Sequence, residues 1–180
     1  MLCRRVPEHF ISRGLLRPKS ITVASINTIG IQGLKLFANS ILQWEEKLKG
    51  TTKDSLGKEI STARIIFELV HGYIESWGTG GSAFRNLYRA FLEELLDIPE
   101  LQEGPRAWNE EEFKIIEECI PLISDSAHNF TIIAETLLDA AEKYKDDCLK
   151  HVSLGELYNI ARYIHSKEEE LFKKLSKIKL

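Results

Sequence analysis

Cysteine, methionine, proline and long apolar runs are all scarce in this chain, and each scarcity narrows what it can be. The three cysteines, Cys3, Cys119 and Cys148, are odd in number and widely separated. No pair has the C-x-x-C spacing of a thiolate metal site, and such usage fits a reducing cytoplasm. No apolar stretch approaches the roughly 20 residues that span a bilayer, so no membrane association is expected. Between Met1 and Ser20 the chain carries Arg4, Arg5, Arg13, Arg17 and Lys19 against Glu8 alone. That end lacks the apolar core of a secretory signal, and residues 1–27 read as a basic, poorly structured arm, with an Arg-rich transit peptide as the alternative.

One methionine and five prolines stand among many Leu, Ile, Glu and Lys, a composition that favours helices. With 180 residues, 43% of them apolar, the chain can bury a core as one domain. The net charge of −3 is unevenly spread: residues 1–57 carry +5, residues 99–147 carry −9 and residues 148–180 carry +3. So acidic a third quarter argues against nucleic acid as a partner, because a phosphate backbone needs a continuous basic face.

Apolar residues recurring at three and four predict the helices. Leu34, Phe37, Ala38, Ile41, Leu42 and Leu48 place a first helix at about Ile31 to Lys49, stopped by Gly50. Thr51 to Gly57 reads as a polar turn. A second helix runs from about Lys58 to Trp77 on a stripe that includes Ala63, Phe67, Val70 and Ile74. A third spans about Ser82 to Asp97, with Phe84, Leu87, Tyr88, Phe91, Leu92 and Leu95 as its buried stripe and Ser82 as its N-cap. Asn109 and Glu112 form a capping-box pair that opens a fourth helix, in which Pro121 should cause a kink or break. The helical pattern resumes after it as far as Asp147. Ser153-x-x-Glu156 opens the last helix. The expected fold is all-α: a single domain of five to six helices in an irregular bundle over residues 28–180.

The second and third helices are joined by Trp77-Gly78-Thr79-Gly80-Gly81, with three glycines in four residues. Glycine permits positive φ and a close approach to the main chain. A helix restarting at once aims unpaired N–H groups over the turn, and Arg85 and Arg89 follow on the face opposite the apolar stripe. Glu75, Gly78, Thr79, Gly80, Gly81, Ser82, Arg85 and Arg89 are therefore candidates for binding an anionic substrate group or a partner. An equally simple account has the glycines turning the chain and the arginines pairing with Glu93, Glu75 or solvent. The turn does not match G-x-x-x-x-G-K-[ST], which excludes a P-loop.

A second pattern, Glu68-x-x-His71, is echoed by Asp125-x-x-His128. Di-metal helical bundles use Glu-x-x-His from two helices with a carboxylate from each of two others, so Glu68 and His71 are the alternative, metal-binding candidates. Both lie off the main apolar stripe. No histidine is placed beside a cysteine, Cys119 reads as a small core residue, and neither a catalytic group nor a cofactor is expected. The runs Glu110-Glu111-Glu112 and Glu168-Glu169-Glu170 read as helix-terminus and solvated-face charges.

Residues 72–92, which hold Glu75, the Gly78-Thr79-Gly80-Gly81 turn and Phe84-Arg85-x-x-Tyr88-x-x-Phe91-Leu92, resemble the signature of the uncharacterised C-terminal domain of butirosin biosynthesis protein H-like proteins. Gly30-x-x-Gly33-Leu34-x-x-Phe37-Ala38 with Trp44 resembles the segment that precedes it there. The order of helices extends the likeness to residues 28–180. In that family the N-terminal half is similar to papain-like cysteine enzymes, and the founding member transfers an aminoacyl group from an acyl carrier protein to an aminoglycoside amine. No segment here resembles that catalytic half. The resemblance implies a helical accessory or substrate-binding domain, inactive in acyl transfer alone. Its implied partners are a papain-like half or an acyl carrier protein, whose phosphopantetheine phosphate is one candidate anion. The rival is a protein-interaction module, whose mark would be a large exposed apolar patch.

Overall fold

The computed structural model describes residues 30–53, 56–76, 81–105 and 107–178. Among these, seven α-helices and one two-stranded sheet follow in order. They are α1 (Gly30–Ile41), α2 (Trp44–Lys47), β1 (Thr51–Lys53), β2 (Glu59–Ser61), α3 (Thr62–His71), α4 (Ser82–Leu96), α5 (Pro99–Gln102), α6 (Glu110–Tyr144) and α7 (Leu154–Leu175). A π-helical turn, Gly72–Ser76, extends α3, and a 3-10 segment, Lys145–His151, joins α6 to α7. The expected all-α bundle is what the chain builds.

The frame of the domain is α6, a 35-residue helix about 52 Å long. Both halves of the predicted capping box start it. The Glu112 N–H donates to Asn109 Oδ1 at 3.0 Å, and the Asn109 N–H donates to Glu112 Oε2 at 2.9 Å. The helix continues through Pro121, so of the expected kink or break the break does not occur. Pro121 and Glu117, whose carbonyl loses its donor, are both exposed, so water can serve that carbonyl. For α7 only half of the box forms: Ser153 Oγ accepts from the Glu156 N–H at 3.3 Å.

The predicted polar turn at residues 51–57 is instead part of a hairpin, and α3 starts later than expected. β1 and β2 pair antiparallel with Thr52 opposite Ile60. Gly50, at φ +97°, turns the chain into β1, and its carbonyl accepts from the Thr62 N–H at 3.1 Å. The Ser61 N–H donates to Asp146 Oδ1 at 3.0 Å, 85 residues away. This distant acceptor takes a donor that local periodicity had assigned to a helix.

Two apolar clusters lie along α6. One gathers Ile41, Trp44, Phe67, Phe130, Ile133, Leu137, Leu157 and Ile164 from α1, α2, α3, α6 and α7. The other holds Leu92, Ile115, Ile116, Cys119, Leu122, Ile123 and Leu171 from α4, α6 and α7. Along α6 the boundary falls between Ile123 and Phe130, and along α7 between Ile164 and Leu171. The buried polar residues Ser126 and Glu168 occupy these two gaps.

Candidate functional site

The candidate residues gather where the π turn, the start of α4 and the middle of α6 meet. Trp77, Gly78, Thr79 and Gly80 lie outside the described residues. Gly81 is the N-cap of α4, at φ −84°. Its place depends on close approach: a Cβ built there would lie 2.3 Å from the Ile74 Cα and 2.4 Å from the Ile74 carbonyl oxygen. Ser82 is the first helical residue rather than the predicted cap, and it is buried. Its hydroxyl donates to Glu75 Oε2 at 2.8 Å, and the Thr131 hydroxyl donates to Glu75 Oε1 at 2.8 Å. One carboxylate thus ties the π turn to both α4 and α6.

Arg85 does not point outward as expected. Its side chain is 13% exposed and that of Glu168 is 7% exposed. Arg85 Nε donates to Glu168 Oε1 at 2.5 Å and Nη2 donates to Glu168 Oε2 at 3.0 Å, a fork-on-carboxylate pair. Nη1 donates to the Gly81 carbonyl at 3.2 Å, and Nε also lies 3.2 Å from Ser126 Oγ. The Ser126 hydroxyl donates to Glu168 Oε1. The guanidinium carbon stands 4.2 Å from the centroid of the Phe130 ring. Arg85 is therefore committed to α6, α7 and its own helix start. Glu168, read from sequence as a solvated charge, is its buried counterion.

Arg89, one turn on, is 41% exposed, with Nε 3.5 Å from Glu93 Oε1. That buried nitrogen has no hydrogen-bond partner. Of the expected anion or partner residues, the structure joins Glu75, Gly81, Ser82 and Arg85 in one internal network and leaves Arg89 apart at the surface.

The predicted stripe of α4 is also corrected. Leu92 is fully buried, and Tyr88 and Leu95 pack against its cluster. Phe84, Leu87 and Phe91 are instead 51%, 66% and 46% exposed. They form a ridge at i, i+3 and i+7, flanked by the half-buried Ala83 and Ala90. The inner face of the helix takes Ser82, Arg85 and Leu92 in its place. Sequence reasoning passed over Ser126, Thr131 and Glu168. The signal for Ser126 and Glu168 was their place on apolar stripes: 119, 122, 123, 126, 130 on α6 and 161, 164, 168, 171 on α7.

Glu68 and His71 are occupied separately. Arg64 Nε donates to Glu68 Oε1 at 3.0 Å, and His71 Nε2 stands 3.6 Å from Glu135 Oε1. Among the described residues, no three His, Cys, Asp or Glu side chains come together as a metal would need. Asp125, from the echoed motif, accepts from the Tyr163 hydroxyl at 3.1 Å. Cys119 and Cys148 are buried free thiols. Burial pushes Cys119 up to about 11 and also raises Cys148, so neither supplies a thiolate near neutral pH. Cys3 lies outside the described residues.

No described helix is long and apolar enough to cross a membrane. A family model described as a domain of unknown function (DUF4872) matches residues 10–175. No curated protein and no solved structure matches.

Proposed function

The chain belongs to this family of a domain of unknown function (DUF4872), and from that premise we propose that it is a helical accessory domain that docks a second folded unit. The ridge Phe84, Leu87 and Phe91 carries this reading. Three large apolar side chains in a row on one well-formed helix are what a partner covers, and isolated exposed apolar residues do not form such a line. A papain-like half of a natural-product aminoacyl or peptidyl transferase is the partner implied by the resemblance of residues 72–92 to butirosin biosynthesis protein H-like proteins. In that pairing the chemistry belongs to the partner, and this chain works in the cytoplasm without activity of its own. The buried free thiols of Cys119 and Cys148 support a reducing compartment.

Titrating the chain with a papain-like half of such a transferase, followed by calorimetry, tests the assignment. Leu87→Glu should weaken the complex by about tenfold or more, as loss of a central apolar anchor does. Equal binding by the Leu87→Glu chain, with its helical circular dichroism intact, would overturn it.

A further inference from the structure

The outward face of α4 is chemically one-sided. Beyond Phe84, Leu87 and Phe91, the exposed Glu94 continues the ridge line at i+10, and the exposed Asp97 flanks it on the line of Ala83 and Ala90. Gln102 Nε2 donates to the Leu96 carbonyl at 2.9 Å, which ties α5 to this end of α4, and α5 with its C-cap carries the exposed Glu100 and Glu103. The last carbonyls of α4 contribute the negative end of its dipole. The only cations of α4 are turned elsewhere: Arg85 is buried against Glu168, and Arg89 lies beside Glu93 on the side of the helix away from the ridge. Among the described residues no cation pairs with Glu94, Asp97 or Glu100.

The shape is equally specific. The ridge follows i, i+3 and i+7, and the small side chains of Ala83 and Ala90, one heptad apart, would leave notches beside it. Side chains of another helix can enter such notches. From Phe84 to Asp97 the track is about 20 Å long, enough for nearly four turns of a packed helix.

We infer that this face receives a cationic amphipathic helix of the partner protein, its apolar stripe on Phe84, Leu87 and Phe91 and its Lys or Arg residues over Glu94, Asp97 and Glu100. The inference rests on the docking assignment above and adds the chemistry of the docked surface. The acids steer and align the partner, and the ridge supplies most of the holding energy. An acidic helix would meet like charge along half of the track.

Two synthetic helical peptides test it against the intact chain by fluorescence anisotropy at low salt. Both carry Leu and Phe at i, i+3, i+4 and i+7; one bears Lys and Arg elsewhere, and its twin bears Glu. The cationic peptide should bind at least tenfold more tightly, and added salt should narrow the difference. Leu87→Glu should abolish its binding, with Phe84→Ser as the substitute should that variant lose helicity. Glu94→Lys with Asp97→Lys should reverse the order of the two peptides. Equal binding of the twins that Leu87→Glu still abolishes overturns the inference and leaves the docking assignment standing. Binding that survives both Leu87→Glu and Phe84→Ser overturns the inference by placing the peptide elsewhere. A dimer of the chain that Leu87→Glu dissolves would make a second copy the occupant and overturn it. Tighter peptide binding by an Arg13→Glu, Arg17→Glu chain would do the same, because the chain's own basic end would then be the competitor.

Discussion

The two faces of α4 both carry apolar side chains, which an ordinary surface helix confines to one. The face toward the protein carries a serine, an arginine with its buried counterion, the fully buried Leu92, and Tyr88, Leu95 and Leu96 packed against its cluster. The face toward solvent carries two phenylalanines and a leucine. An ordinary amphipathic helix puts the stripe inside and the charges outside. The two faces divide two tasks. The inner face holds the helix in place through apolar packing on α6 and α7 and through the Arg85–Glu168 pair, and the outer ridge takes no part in that core.

Breaking the inner face should have the largest effect. Arg85→Ala leaves the Glu168 carboxylate buried without its cation, and removal of one partner from a buried pair costs about 3–5 kcal/mol. Urea denaturation of the variant should show that loss. Arg85→Met combined with Glu168→Leu should recover most of it, since apolar replacement of both partners is close to neutral. A loss below about 0.5 kcal/mol for Arg85→Ala, typical of a surface position, would show that the pair does not hold α4.

Gly81→Ala tests the anchor at the start of the same face. The added methyl would meet Ile74 backbone at 2.3 Å, and backbone cannot swing aside as a side chain can. Overpacking of this kind costs about 1–3 kcal/mol, and the thermal midpoint should fall accordingly. An unchanged midpoint would mean that the elbow relaxes freely.

Alkaline pH probes the inner side more gently. Burial pushes Tyr88 from its ordinary 10.0 up to about 12 and Cys119 from 9.0 up to about 11. Both groups are held protonated in the fold. Their contribution is intact below pH 9, starts to fall as Cys119 ionises in the unfolded chain, and is lost as pH rises through about 11 and 12. Stability should therefore decline between pH 9 and 12, and Tyr88→Phe with Cys119→Ala should flatten that decline. Identical pH profiles for the two chains would remove these groups as its cause.

Leu87→Ser should have the smallest effect on the isolated chain, within about 0.5 kcal/mol, because its side chain already faces water. Measured beside Arg85→Ala, it states the contrast between the faces in one denaturation experiment. A large loss at Leu87 would mean that the ridge is covered within the chain itself.

Much of the architecture was legible because helix periodicity and capping are local. Asn109 with Glu112 marked the start of α6, and the Leu157, Ala161, Ile164, Leu171 spacing marked α7. The hairpin was not legible, because its last residue answers to Asp146 across 85 positions. Nor was the orientation of α4. Phe84, Leu87, Tyr88, Phe91, Leu92 and Leu95 form an arc wider than one neighbouring helix can cover, and spacing alone does not say which edge lies inside. Arg85 bonds the Gly81 carbonyl at the elbow's end, but its direction depended on Glu168, which is 83 residues away and hidden in a run of three glutamates. Its acceptor became legible only with α7 packed against α6.

The layer formed by Arg85, Ser126 and Glu168 has a further consequence for how the long helices find each other. Aliphatic side chains along α6 and α7 are nearly interchangeable, and a slip of one turn, about 5.4 Å, would set methyl groups against methyl groups again. The same slip would carry the Glu168 carboxylate away from the Ser126 hydroxyl of α6 and, with α4 packed on α6, away from the Arg85 guanidinium. Misaligned pairings thus carry a penalty that an all-aliphatic seam lacks, which favours one register of the two rods over its neighbours.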